Sequence, residues 1–351
     1  MRFDSTPAQD ALRARVRSFL AEASPMAEVR RLMETDLGFD PDVWRAMVDE
    51  GFVGPGLSFP EQAVVLEEAG AALLCAPLLG TVVAAAAAGD PSLGAGPSPA
   101  VVALAVAEDA GVWDEAGVAL RATADGALWR LDGHKSFVLD GHAAAILVVA
   151  ARSDAGLGFF LVDGAAPGLA RAPLPTLDLT RRLARLTFEA TPARLLGAPG
   201  GGGAVLARAM DMAAAALADE QVGGAQRCLD ITVEHVRSRV QFGRPIGSFQ
   251  AVQHRCADML LEIESARSAA MYAALAAESA PEDLPAAAAM AKATCSDAYA
   301  FVAAETIHLH GGVGFTWDHD AHLYFKRAKS SRLLFGDPNH HREQLAMHIG
   351  I

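Results

Sequence analysis

Residues 237–253, RSRVQFGRPIGSFQAVQ, separate two runs of helical periodicity and fix how they can be joined. Upstream, Val222, Ala225, Leu229, Val233 and Val236 recur at steps of three and four and so line one face of a helix. Downstream, Val252, Cys256, Met259, Ile263, Ala266 and Ala270 repeat the pattern. Between them Gly243, Pro245 and Gly247 break the helix, and Ser248 reads as the N-cap that restarts it. Two amphipathic helices joined by so short a turn form an antiparallel pair. The turn also carries Arg239, Gln241 and Arg244, more polar hydrogen-bonding capacity than a bare connection needs.

The chain around this stretch has 351 residues, 52% of them hydrophobic and 20% charged, which suits a globular protein of two or three domains with a sizeable core. A formal charge of -13 without any Lys/Arg run argues against nucleic-acid binding. Cys75, Cys228, Cys256 and Cys295 lie far apart in apolar helical contexts, as reduced core cysteines do. The first sixteen residues contain no apolar signal core, so the expected location is the cytoplasm. Residues 69–89 carry no charge, but they are dominated by Ala and Gly and broken by Pro77, so a buried helix pair is expected rather than a membrane span.

Periodicity divides the chain into three: an N-terminal helical domain at 1–98, a middle antiparallel β domain at 99–200 and a C-terminal helical bundle at 201–351. This is an α+β multidomain fold. In the first part helices are expected at 9–23, 42–50, 61–74 and after Pro77, with 89–99 as a linker. Strands follow at 101–107, 117–123, 128–132 continuing through Gly133 to 136–139, 145–151, 159–162 and 186–189. Helices return at 204–237, 248–277, 285–308, 321–334 and 339–348, lengths that imply a four-helix-type bundle.

Several motifs invite chemistry. His310 to Phe315, HGGVGF, ends a long helix, and its paired glycine serves either as a plain C-cap or as a place for close approach of a ligand. An Arg beside a helix terminus, as Arg239 is, makes a good partner for a pyrophosphate, although a solvated turn would look the same. Glu305 and His308 form one E-x-x-H, with His319, His322, His340 and His341 nearby in sequence. A di-iron bundle needs a second such pair and two further carboxylates, so no metal site is expected.

Taken together, RVQFGRPIGSFQAVQH at 239–254 and HLHGGVGFTWDHDAHLYFKRAK at 308–329, behind a helical and then a β domain, resemble the acyl-CoA dehydrogenase family over nearly the whole chain. Weaker matches are Trp44, Gly51 and VLEEAG at 65–70, LDGHK at 131–135 with Asp140-Gly141, and Phe188-Glu189 before Leu196-Gly197. The resemblance implies FAD-dependent α,β-dehydrogenation of an acyl-CoA thioester, with an electron-transfer flavoprotein as acceptor. It places FAD between two subunits of a dimer or tetramer. By resemblance Arg239, Gln241, Phe242, Phe249, Gln250, His308, Gly311 and Gly312 are the residues that hold its pyrophosphate and adenosine.

The remainder of the family's site is altered. Where the family carries a segment like TEPxAGSD, this chain has VAEDAG at 106–111. In the stretch like KxWITNG it has KSFVLDG at 135–141, where Leu139 cannot donate the hydrogen bond of a hydroxyl to the flavin. Phe335 stands where most members have the catalytic Glu, and Ala213 where a minority carry it, and neither side chain can accept a proton. Asp337 and Glu220 are the nearest substitute carboxylates. The resemblance is therefore to the short, base-lacking subunit of heteromeric members that act on bulky CoA thioesters, including steroid side chains. Two alternatives are a self-sufficient homo-oligomer using Glu220 or Asp337 and a flavin-free structural subunit. Small residues at 213–216 suggest room for a wide acyl group.

Overall fold

The computed structural model describes residues 5–96 and 99–351. The first four residues, the expected boundary at 98 and part of the 89–99 linker lie outside them. In chain order the protein builds helices α1 (Pro7–Ala23), α2 (Met26–Met33), α3 (Pro41–Asp49), α4 (Phe59–Ala71) and α5 (Leu78–Ala88). Strands β1 (Val102–Ala105), β2 (Arg121–Asp125), β3 (Leu128–Leu139), β4 (Ile146–Ser153), β5 (Gly156–Asp163), β6 (Leu169–Pro173) and β7 (Leu183–Leu196) follow. Helix α6 (Gly202–Ser238) leads into a hairpin of β8 (Val240–Gln241) and β9 (Arg244–Pro245). Then come α7 (Gln250–Ser279), α8 (Leu284–His310), α9 (Ala321–Leu333) and α10 (Pro338–Ile349).

Local chemistry sets these boundaries. Thr6 and Gln9 form a capping box ahead of Pro7, and Ser58 and Glu61 form another ahead of Pro60. Asp40 caps α3 through the amides of Asp42 and Val43, and Gly89 at φ 65 ends α5. The two-turn helix α2 escapes a periodicity reading because eight residues are too few to define a face. Edge strand β6 escapes it too, since LARAP is short, mostly exposed and ends in Pro.

Residues group into two compact units. One gathers the chain up to Arg30, Ser58–Leu74 and Ala214–Ile351; the other holds Arg31–Leu57 and Cys75–Ala213. In the second unit the sheet order is β1-β4-β2-β3-β7-β5, with β5 also pairing with β4, so five strands close on themselves, and β6 pairs with β7 outside that path. Pairing is antiparallel except at β1–β4 and a single β2–β4 residue pair, which are parallel. Leu131, Leu147, Phe159, Phe160, Leu186 and Phe188 fill its core. Strand β7 is much longer than the expected 186–189, because Ala190 at φ 46 and Pro192 break its alternation without ending it. Residues 115–117 form a 3-10 turn capped by Asp114, which delays β2 relative to the expected start at 117.

The first unit is the helical bundle with α1 and α4 packed on it. Its tightest point is the crossing of α4 and α6. A Cβ added at Gly70 or Gly223 would sit under 3.0 Å from the carbonyl oxygens of Glu220 and Glu67 respectively. Ala214, Ala215, Ala216 and Ala218 of α6 are fully buried, so small residues let neighbouring backbones approach. Among the described residues no helix is long and apolar enough to cross a membrane. Replacing Gly223 by Ala is expected to cost about 3 kcal/mol or more, because the opposing atom is backbone and cannot swing aside. Gly56→Ala, whose Cβ meets nothing within 4 Å, should stay within about 0.5 kcal/mol of the parent. Urea unfolding of both variants measures the difference.

Candidate functional site

Helix α6 ends at Ser238, and the next residues turn back on themselves. The amide of Arg239 donates to His235 O at 2.8 Å and the amide of Ile246 donates to Arg239 O at 2.8 Å. Between them Phe242 (φ 52) and Gly243 (φ 76) form the two-residue tip of the hairpin, both left-handed as a type I′ turn requires. A bulky residue at positive φ is a strained choice where Asn is usual. The Phe242 ring is 92% exposed. Ser248 does not cap α7: its hydroxyl donates to Pro245 O at 2.7 Å inside a 3-10 turn, and Phe249 takes the cap position without a side-chain bond. The Arg244 guanidinium lies 4.0 Å above the Phe249 ring, and Phe242 meets the same ring edge-on at 6.2 Å.

This order leaves Arg239, Gln241 and Gln250 exposed, and among the described residues the Arg239 and Gln241 side chains have no hydrogen-bonding or ion-pair partner. At the end of α8, Gly311 adopts φ 65 and ψ -145, which only glycine takes without strain. Gly311 and Gly312 are open, with nothing within 4 Å of an added Cβ, whereas Gly314 packs against His310 and Ile307. Val313, Phe315 and Trp317 are exposed beside them.

Side chains bring these two segments to one end of the bundle. His235 at the end of α6 stacks on His310 at the end of α8, ring centroids 4.2 Å apart. Arg255 near the start of α7 pairs with Glu305 at 3.2 Å, and Glu305 also meets His308 Nδ1 at 3.3 Å. Arg239, Gln241, Phe242, Phe249 and Gln250 thus share that end with His308, Gly311 and Gly312. An unpaired guanidinium, a free amide and open glycine backbone suit a pyrophosphate, and the exposed aromatics suit an apolar surface beside it. These residues fit the pyrophosphate and adenosine half of FAD. Among the described residues, no three His, Cys, Asp or Glu side chains gather as a metal site would need.

In the second unit the loop 106–111 closes on itself. Glu108 accepts from the amides of Ala119 and Leu120, each at 2.8 Å, and pairs with Lys135 Nζ at 3.0 Å. Lys135 is fully buried, and burial lowers its pKa to about 8 although Glu108 opposes the shift. Asp109 accepts from Ser136 Oγ at 2.6 Å and from Arg185, and the Arg185 bond leads in holding its carboxyl down to about 2. The Leu139 side chain is buried close to Gly80 of α5. The two carboxylates that replace the family's TEPxAGSD polar groups are therefore bound to the protein's own amides, lysine and arginine.

At the usual base positions, Ala213 is buried and Phe335 is 5% exposed with φ 61. His341 Nε2 donates to Phe335 O at 2.9 Å, and Lys292 Nζ donates to Gly336 O at 3.0 Å and Arg332 O at 3.3 Å, so the turn is held from two helices. Burial lowers Lys292 to about 7 and His341 to about 4. Glu220 accepts from Arg327 Nη1 at 2.7 Å in a buried ion pair. Asp337 caps α10 through the amide of His340 at 2.8 Å, the bond that leads in holding its pKa low. As arranged, one carboxylate is spent on an ion pair and the other on a helix cap. The histidine stack and Lys292 carry no sequence signal beyond position: His235 precedes Arg239 by one turn, and His310 adjoins Gly311. Glu220→Gln is expected to destabilise the fold by about 3 kcal/mol, because it leaves Arg327 buried with a weakened partner. Asp337→Asn, which can still cap, should change stability by less than about 0.5 kcal/mol; thermal melts compare the two.

The sequence pattern of the family described as acyl-CoA dehydrogenase, C-terminal domain, matches residues 200–350. Acyl-CoA dehydrogenase IpdE2 of Mycobacterium tuberculosis is 38% identical over 337 residues, covering 93% of this chain and 92% of that protein. IpdE2 of Mycolicibacterium smegmatis is 37% identical over 338 residues, covering 92% and 91%. Among solved structures, the ChsE4-ChsE5 complex from Mycobacterium tuberculosis superposes with a TM-score of 0.90 at 28% identity over 99% of both chains. A variant of the steroid ACAD Tcur3481-Tcur3483 gives 0.88 at 33% identity over 97% of both.

Proposed function

This chain belongs to the acyl-CoA dehydrogenase family, and from that premise we propose that it is the cofactor-clamping, base-lacking subunit of a heteromeric acyl-CoA dehydrogenase. The observation that carries this reading is an asymmetry. The bundle end offers an unpaired Arg239 and Gln241 with open glycines, whereas loop 106–111 is closed by its own ion pairs and Phe335 fills the usual base position.

When bound, FAD supplies the redox chemistry, taking a hydride from the acyl β-carbon as a base removes the α-proton. The contribution of this chain is binding. Arg239 and Gln241 neutralise and orient the pyrophosphate, and the absence of side chains at Gly311 and Gly312 lets it approach the helix end. Phe242 and Phe249 exclude water from that contact. A second acyl-CoA dehydrogenase chain provides the base and the strands that face the flavin, in a hetero-oligomer such as an α2β2 tetramer. The two paired structural relatives, ChsE4-ChsE5 and Tcur3481-Tcur3483, support this arrangement. The substrate is a bulky acyl-CoA, in line with the steroid assignment of one relative and the small residues at 213–216. The reduced flavin passes its electrons to an electron-transfer flavoprotein, and the complex works in the cytoplasm.

Purified alone, the chain is expected to be colourless and inactive; co-expressed with its partner it should yield a yellow complex that reduces its flavin on adding acyl-CoA. In that complex Arg239→Gln should weaken FAD retention by about tenfold or more, the weight of one charge-assisted contact. A yellow, active enzyme from the single chain would overturn the proposal in favour of a homo-oligomer using Glu220 or Asp337. A complex without flavin would favour a structural subunit.

A further inference from the structure

Three imidazoles stand in a row behind the clamp. His235 and His310 have centroids 4.2 Å apart, and His310 and His319 have centroids 4.4 Å apart. Each belongs to a different part of the bundle end. His235 lies in the last turn of α6 and its carbonyl receives the Arg239 amide. His310 is the residue before Gly311, tied by Nδ1 to Thr306 O at 2.7 Å. His319 follows the glycine turn and its Nδ1 accepts the Ala321 amide at 3.1 Å. The row therefore links the backbone that carries Arg239 to the backbone that carries Gly311 and Gly312.

We propose that the His235–His310–His319 stack is the positioning element that sets the two clamp segments at their working separation, and that protonating it releases the grip on the flavin's pyrophosphate. The inference rests on the clamp reading above. Neutral rings attract in tilted contacts at this spacing, whereas two charged rings repel across the same gap. The surrounding charges sharpen the effect: Arg239 faces His235, and Arg30 with His322 faces His319, beside Lys326. Asp320 is the one carboxylate that acts on His319 and His322 in the opposite sense. Burial leads in holding all three rings below the ordinary imidazole value; nearby cations add to it at His235 and His319, and at His310 the neighbouring His319 adds to it while the Thr306 carbonyl opposes it. With folded-state values below the unfolded one, the stack is intact at neutral pH, and stability is lost as pH falls below the ordinary histidine range.

The test uses the FAD-loaded complex and reads free-flavin fluorescence. Lowering the buffer from about pH 7.5 to about pH 5.5 is expected to speed FAD release by at least about tenfold. His235→Phe and His319→Phe keep an aromatic ring but cannot titrate, and both should flatten that dependence. Unchanged steepness in both variants, or pH-independent release from the parent, overturns the inference. Should a variant not fold, amide exchange on the parent complex decides. Protection lost together at 239–249 and 311–317 as pH falls supports the stack, and uniform loss across the bundle overturns it. Flavin absent at neutral pH, or held equally well by Arg239→Gln, overturns the clamp reading itself. Flavin held through Arg239 but insensitive to the histidines overturns only the stack.

Discussion

The bundle depends on the contact between α4 and α6, where Gly70 and Gly223 let two helix backbones touch. No side chain could be inserted there without moving one of the helices, so the crossing fixes α4 against the longest helix of the protein. Charged groups then line the contact. Arg13 meets Glu67 at 2.7 Å and Glu68 at 2.9 Å, Arg17 meets Glu68 at 2.8 Å, and Arg267 reaches Glu67. Tyr324 from α9 donates to Ala71 O at 2.7 Å, at the end of α4. The carboxylates of these pairs are largely covered, Glu68 at 6% exposure, so desolvation offsets much of the attraction. The buried Glu220–Arg327 pair is better understood as fixing register than as adding stability, since desolvating two charges offsets most of their attraction.

The crossing holds the middle of α6, and the hairpin follows the C-terminal end of the same helix. The hairpin after Ser238 holds Phe242 in a left-handed conformation, at a cost of roughly 1–3 kcal/mol. The strain persists because both flanks are anchored: the Arg239 amide is bonded to α6, and Phe249 at the head of α7 packs under Arg244. A flexible connection would relax Phe242 and fold its ring inward. Held as it is, the ring stays in solvent, a state that burial against another surface would relieve.

How much of this could be read from the sequence differs by level. Gly243, Pro245 and Gly247 announced the break between α6 and α7, and helical spacing located both helices to within a few residues, because long amphipathic runs repeat their signal. Ser248 misled, since a hydroxyl next to a helix start can as well bond the preceding turn as cap the helix. The replacement of the family's flavin-facing residues was visible in VAEDAG, but the destinations of Glu108 and Asp109 were not, because Lys135 and Arg185 lie on strands far along the chain. The histidine stack was invisible for the same reason: His235 and His310 are brought together only by the packing of α6 against α8.

An overall charge of -13 repels a pyrophosphate at long range, yet the relevant field is local. Charges in water are screened over about 8–10 Å at physiological salt. Within that distance the stretch 237–244 presents Arg237, Arg239 and Arg244 and no acid. Arg244 is turned onto Phe249, whereas Arg237 and Arg239 are exposed and have no ion-pair partner among the described residues. Of the carboxylates on either side of the glycine segment, Glu305 is paired with Arg255 and Asp320 with Arg30. Those two carboxylates are thus neutralised beside the clamp, and Arg237 and Arg239 remain as uncompensated guanidiniums that favour an anion there.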